Sequence, residues 1–286
     1  MTRPTLEVPV DSLDSAVLSA PFATRLELCD DLPSEGWTPK ISLIERVRAA
    51  VDTHLVAMIR PRFADSPLTL TLTLESFMAN KRVMDASIQE IKSAAAAGAN
   101  SVAIGLLQAD GHVDMNACGE LAELARSLKL EVAFLRTFDL LVDRARGMRD
   151  ISALGMKRVV TAGVLGWDAG ISTLEQRIDV LRNDAMNAAT QANTNSLQAT
   201  PNSRPQLTVA NAVSTTQMNS DAAIKNSVAR EPVEIVPGGG VRASNAAQFM
   251  FVSPHLHASC RRGGVFCIDE IHILHATMQT LTKNSA

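Results

Sequence analysis

Residues 101–138 read SVAIGLLQADGHVDMNACGELAELARSLKLEVAFLRTF, and the order of textures along this stretch decides the fold. Ser101–Leu107 is a short apolar run, Met115–Leu128 spaces its apolar residues three and four apart, and Glu131–Phe138 is short and apolar again. A run without strict alternation suits a strand buried on both faces, whereas the 3.6-residue spacing suits an amphipathic helix. Strand, helix and strand in that order call for a parallel pair joined by a right-handed crossover.

The same unit repeats outward in both directions. Apolar runs at Thr5–Val10, Arg25–Cys29 and His54–Pro61 precede it, and Arg158–Thr161, Val233–Pro237 and His255–Ser259 follow. Helical periodicity marks Ser12–Leu18, Leu43–Val51, Arg82–Ala97, Asp143–Leu154 and Ala169–Arg182, with Gly98 and Gly155 placed where a helix stops before the next strand. Eight strands, nearly all separated by helices, are expected to close into one α/β domain over residues 1–286, a TIM-type (β/α)8 barrel of parallel strands. An open doubly wound sheet is the structural alternative.

One stretch lacks this rhythm. Residues 183–230 are rich in Asn, Gln, Thr, Ser and Ala and show almost no periodic apolar face. Such a composition does not bury enough surface to offset ordering, so a flexible, low-complexity insertion is expected there. It falls between a helix and the next strand, the stability side of a barrel, away from the chemistry.

Composition narrows the function classes. A net charge of −3 gives no general attraction to nucleic acid or to an anionic membrane. Glu7 and Asp11 interrupt the N-terminus before a signal-like apolar core forms, and no run is long enough to span a bilayer, so a cytoplasmic protein is expected. The cysteines, Cys29, Cys118, Cys260 and Cys267, form no CxxC pair and read as free thiols. With two Trp, eight Phe and no Tyr, the core must be aliphatic.

In a barrel, alternate strand residues point inward and the strand C-termini form the active mouth. That spacing puts Glu27 and Cys29 on one face of the second strand, and His255, His257 and Ser259 on one face of the eighth. Arg60 and Arg62 end the third strand, and Arg136 and Asp139 end the fifth. Buried carboxylates need partners, so Glu7 and Glu27 are expected to face arginines. Gly238, Gly239 and Gly240 follow the seventh strand ahead of a helix at Ser244, a turn that can offer backbone amides to phosphate. Neither a Walker A motif nor a dinucleotide fingerprint is present. Cys29 with His257 is the candidate metal pair, since thiolate and imidazole suit Cu(I). Cys260 is a possible second thiol if its loop folds inward. His272 and His275, one helical turn apart, read as structural, Cys118 as packing, and Asp110–Asp114 as a turn.

At these residues the chain resembles the CutC copper homeostasis family. The motifs are LEVPVDS (6–12), RLELC (25–29), Thr38-Pro39, IRPR (59–62), DGHVD (110–114), FLRTFD (134–139), TAG (161–163), PGGGV (237–241) and HAS (257–259). They run in the family's order across the chain outside 183–230. The resemblance implies a TIM-type barrel, a cytoplasmic protein and roles in copper tolerance and Cu(I) binding. The chain departs from it at Pro9, where the family has Cys, and at Leu135, where it has His. Arg62-Phe63-Ala64-Asp65 replaces Arg-Gly-Gly-Asp.

Three functions follow as expectations. The first is copper homeostasis, with Cu(I) as cofactor on Cys29 and His257. The second is an enzyme for a small anionic or phosphorylated substrate. In it Arg60, Arg62, Arg136 and Gly238–Gly240 bind the anion, and Glu27 or Asp139 acts as acid or base. The third is a site-degenerate barrel kept as a binding or regulatory partner. In each the partner is a metal ion or small anion, and self-association stays open.

Overall fold

The computed structural model describes residues 3–66, 72–168, 170, 172–197 and 231–284. Eight parallel strands alternate with helices. The first half runs β1 (Thr5–Val10), α1 (Leu13–Ser19), β2 (Arg25–Leu28), α2 (Ile41–Ala50), β3 (His54–Met58), α3 (Lys81–Ala96), β4 (Ser101–Ile104) and α4 (Met115–Ser127). The second runs β5 (Glu131–Phe134), α5 (Arg144–Ala153), β6 (Arg158–Thr161), α6 (Leu174–Leu197), β7 (Glu234–Pro237), α7 (Ala246–Met250), β8 (His255–His257) and α8 (Ile268–Asn284). Neighbours pair in order from β1 to β7, and β8 returns to pair with β1. No ladder joins β7 to β8, but Ser253 Oγ donates to the Ile235 carbonyl across that seam at 2.6 Å. The ring is therefore a nearly closed (β/α)8 barrel rather than an open sheet. A hairpin, β9 (Arg261–Arg262) and β10 (Val265–Phe266), follows β8.

Local chemistry explains the helix starts. Asn80, Asp114 and Asp143 each accept a backbone N–H from the first turn of α3, α4 and α5, capping donors that have no intrahelical partner. Strand alternation then sorts the side chains. Leu6, Val8, Val10, Leu26 and Leu28 pack outward against the helices, in the main core. Inside, Val56, Ala103, Ala133 and Leu135 form a small apolar layer with Met58 against it. Below that layer lies a polar floor. Arg25 Nε meets Glu7 Oε2 at 2.9 Å, Arg25 Nη2 donates to Ser101 Oγ at 3.0 Å, and Arg158 Nε meets Glu234 Oε2 at 2.6 Å.

The third, fourth and eighth strands end two or three residues short of expectation, at Met58, Ile104 and His257, and two further elements differ in ways that bear on the site. The fifth strand stops at Phe134, because Phe138 N turns back to the Leu135 carbonyl at 3.1 Å and residues Arg136–Leu140 form a 3-10 turn. The sixth helix does not stop at Arg182 but continues to Leu197. Its extension is held by Asp184, whose carboxylate pairs with Arg144 at 2.6 Å, and by buried Ala188. A charged anchor and a small one give no apolar stripe to read. The rest of the expected insertion, 198–230, lies outside the described residues. Among the described residues no helix is long and apolar enough to cross a membrane.

Candidate functional site

Glu27, near the C-terminal end of β2, lines a cavity of about 420 Å³ at the C-terminal end of the barrel. The walls include Pro9, Met58, Arg60, Leu135, Arg136, Trp167, Gly239, Gly240, Arg242 and His257. Register brings the floor together: Glu7 pairs with His257 across β1 and β8, and Pro9 pairs with Glu27 across β1 and β2.

His257 joins two carboxylates. Its Nδ1 is 3.0 Å from Glu7 Oε1, and its Nε2 is 3.8 Å from Glu27 Oε2. Burial opposes charge on the imidazole. The Glu7 hydrogen bond and the charges of Glu27 and Glu7 outweigh it, so His257 titrates above its ordinary value. Burial likewise opposes ionisation of Glu7, yet the His257 hydrogen bond and the Arg25, His257 and Arg158 charges hold its carboxyl well below the usual range. Glu27 goes the other way. Burial, helped by the Glu7 charge and only partly offset by His257, raises it to about 7. The expectation that both carboxylates face arginines thus holds for Glu7 alone. Glu27 has no arginine within ion-pair reach among the described residues, and its nearest cation is His257.

The arginines divide in a way their spacing does not show. Arg60 lies over the Trp37 ring at 4.1 Å and donates through Nη1 to the Gly36 carbonyl at 2.9 Å. It makes no ion pair, its buried Nε has no partner, and burial lowers it to about 10. Thr38 fixes its backbone, accepting from Arg60 N at 2.8 Å while donating to Glu90 at 2.6 Å. Arg136 also reaches the cavity, stacked over Trp167 at 4.5 Å and held by Asp139 at 3.2 Å. Arg62 does not line the cavity; it turns outward to Asp31 at 3.3 Å. Asp139 stays behind the wall. It accepts from Thr161 Oγ1 at 2.6 Å and Ala162 N at 2.9 Å, and pairs with Arg136 and Arg144.

The glycine turn is clamped from outside. Arg177 donates to the carbonyls of Ala162, Gly238 and Gly239. Gly238 N is used by Thr161 O at 2.8 Å, whereas the amides of Gly239 and Gly240 reach no acceptor among the described residues. Gly239 has φ +64°, and a Cβ there would stand 2.9 Å from the Ala162 Cβ. The helix that follows is only Ala246–Met250, beginning after Ser244 rather than at it. What this turn offers is amide donors, not a helix terminus.

Cys29 is fully buried and lies outside the cavity wall, its Sγ 3.8 Å from Glu27 Oε2. Burial and the Glu27 charge push its thiol well above the ordinary value. Among the described residues no group of three or more His, Cys, Asp or Glu side chains is arranged to hold a metal. Cys118 is buried and bonded to Leu106 O, and His272 and His275 pack on Phe22, in line with the structural roles expected of them.

Several site residues escaped the sequence reading, Trp37, Trp167, Phe77 and Arg242 among them. The chain has only two tryptophans, and both serve as platforms for mouth arginines. Their rarity was the available signal, since an aliphatic core has no other call for them.

These parts define a class: a (β/α)8 barrel with an arginine-lined pocket and a buried carboxylate–imidazole cluster where the strands end. Residues 5–195 match the CutC family, and the chain belongs to it. It is 32% identical over 193 residues to a CutC family protein of Vibrio atlanticus, covering 64% of this chain and 73% of that one. It is 33% identical over 159 residues to the human copper homeostasis protein cutC homolog. That match covers 55% of this chain, which spans about half the human protein's length, 54%. The fold agrees with the crystal structure of a copper homeostasis protein CutC from Streptococcus agalactiae. The TM-score is 0.64 at 20% identity, over 90% of this chain and 98% of that one. A 3-hexulose-6-phosphate synthase shares the barrel with TM-score 0.55 at 16% identity, over 96% and 99% of the two chains.

Proposed function

We propose that the barrel mouth binds a small cytoplasmic anion, phosphate-bearing or carboxylate-bearing, and moves a proton on it through Glu27 and His257. The observation that carries this reading is the pairing of two unmatched groups. Glu27 lacks an arginine partner and titrates near 7, while Arg60, in the same cavity, forms no ion pair among the described residues and feels only the more distant Glu35 charge. A buried cation without a counter-ion is costly, and an anionic ligand removes that cost. The Gly239 and Gly240 amides and Arg136 supply further donors. A carboxyl near 7 can give or take a proton at neutral pH. Glu7 orients His257, which can return the proton.

Inorganic phosphate and a panel of phosphorylated sugars and carboxylates, each at millimolar concentration, should raise the unfolding temperature of the wild type and not of Arg60→Gln. If no anion stabilises the wild type, the reading fails.

The Cu(I) reading draws on the copper homeostasis names of the relatives. At Cys29 and His257 the residues fit it poorly. There is one thiol, Pro9 supplies none on the neighbouring strand, and the Glu27 carboxylate lies within 3.8 Å of both supposed ligands. Cu(I) selects soft sulfur donors over carboxylate oxygen. Copper handling by this chain is expected to survive Cys29→Ser.

A further inference from the structure

We infer that Glu35 is a competitor carried by the barrel mouth itself: its carboxylate holds the place beside Arg60 and Arg136 that an anionic ligand takes, and the ligand displaces it. The inference rests on the anion-binding reading of the mouth and names a residue that sets its affinity. Glu35, Arg60 and Arg136 line the same cavity. Among the described residues two carboxylates attend Arg136, and they differ in kind. Asp139 meets it at 3.2 Å with its side chain 0% exposed, anchored behind the wall by Thr161 and Ala162. Glu35 stands 3.9 Å away, beyond hydrogen-bond length, with its side chain 47% exposed. Its charge also acts on Arg60, which forms no ion pair of its own among the described residues. One loosely held carboxylate thus serves two cations. Oxygens of a bound anion, at about 2.7–2.9 Å from a guanidinium, make the stronger contact, and a half-exposed side chain turns out to water at little cost.

The loop that carries Glu35 keeps it at the mouth. Asp30 and Trp37 close the base of this loop with two backbone hydrogen bonds of 2.9 and 2.8 Å. Leu32–Ser34 form a 3-10 turn, and Glu35 N donates to the Leu32 carbonyl at 3.0 Å. That turn leaves Glu35 at φ +64°, a left-handed conformation that residues other than glycine adopt rarely and that clusters at ligand sites. The same loop grips Arg60. The Gly36 carbonyl accepts from Arg60 Nη1 at 2.9 Å, and the Trp37 ring lies under the guanidinium at 4.1 Å. Arg60's supports and its competitor arrive on one short segment, so their relative positions are set together.

Both tryptophans of the chain lie under mouth arginines, so intrinsic fluorescence reports the arrival of an anion. The full-length protein is titrated with inorganic phosphate at fixed ionic strength, with equilibrium dialysis of radiolabelled phosphate as a second readout. Glu35→Gln, Glu35→Asp and Glu45→Gln are titrated alongside, the last removing an exposed charge on α2 outside the cavity. Glu35→Gln should bind phosphate about 5-fold more tightly, the scale of a partly exposed ion pair, and Glu45→Gln should match wild type. Aspartate keeps the charge in the loop but draws it back from Arg136, so Glu35→Asp should also bind more tightly. Wild-type or weaker affinity in Glu35→Gln overturns the inference and leaves anion binding at the mouth standing. Wild-type affinity in Glu35→Asp alone makes Glu35 a distant screen rather than an occupant, and overturns it too. Phosphate binding by none of the proteins overturns both readings together.

Discussion

Glu7 and Glu27 stand on adjacent strands and both reach His257, yet they titrate in opposite directions because Glu7 alone takes the His257 hydrogen bond and has arginines within ion-pair reach. The consequence is measurable. A carboxyl whose folded pKa is raised from 4.5 to about 7 costs stability once the pH exceeds its unfolded value, since the unfolded chain releases its proton first. Wild type should therefore lose stability relative to Glu27→Gln as pH rises from about 4.5 to 7. The gap should level off above 7 at no more than about 3 kcal/mol. Urea midpoints of the two proteins across that range test it, and a gap that stays constant would mean Glu27 titrates normally. Glu7 has the opposite sign. Its lowered pKa stabilises the fold above its unfolded value, and that contribution is lost as the solution is acidified. At Gly239, alanine meets both a positive φ and the Ala162 methyl. Gly239→Ala should cost about 1–2 kcal/mol and remove the stabilisation by phosphate.

At the scale of elements, α6 matters beyond its length. It delivers Arg177 to the glycine turn and Asp184 to Arg144, and Arg144 in turn braces Asp139 and Thr161 behind the wall. Asp184 is 1% exposed, so Asp184→Ala leaves a buried guanidinium half-paired and should cost about 3 kcal/mol. Equilibrium urea unfolding reads this directly. A loss below about 0.5 kcal/mol, the range of ordinary surface substitutions, would mean that the helix beyond Arg182 is not docked. This segment was not legible in the sequence. Its anchoring rests on one carboxylate and one alanine in a polar stretch, and hydrophobic periodicity cannot register either. The opposite holds for β4, α4 and β5. There the period changes from run to helix and back, and the bounds came out within a few residues, strand tails excepted.

For the molecule as a whole, the seam between β7 and β8 is the place where the ring depends on side chains instead of a ladder. Sub-global opening follows the weakest contiguous contacts. Hydrogen exchange followed by mass spectrometry should show peptides covering 234–238 and 253–257 opening before those covering β2 to β5. Uniform protection around the ring would contradict this. Ser253→Ala removes the bridging hydroxyl and should accelerate exchange at the seam selectively, by roughly the factor of 5–10 that about 1 kcal/mol implies.

By itself, the sequence determined the barrel, its strand order, and the membership of Glu27, Arg60, Arg136, His257 and the glycine turn at one mouth. Period and alternation are local properties that a chain carries in its order. Which charges remained unpaired was decided only in three dimensions. Arg62 turns out to Asp31, Asp139 is consumed by the wall, and Cys29 is sealed behind Glu27. Ion pairing and burial depend on what arrives from distant strands, as when β8 brings His257 to Glu7 across 250 positions. No spacing along the chain encodes that meeting.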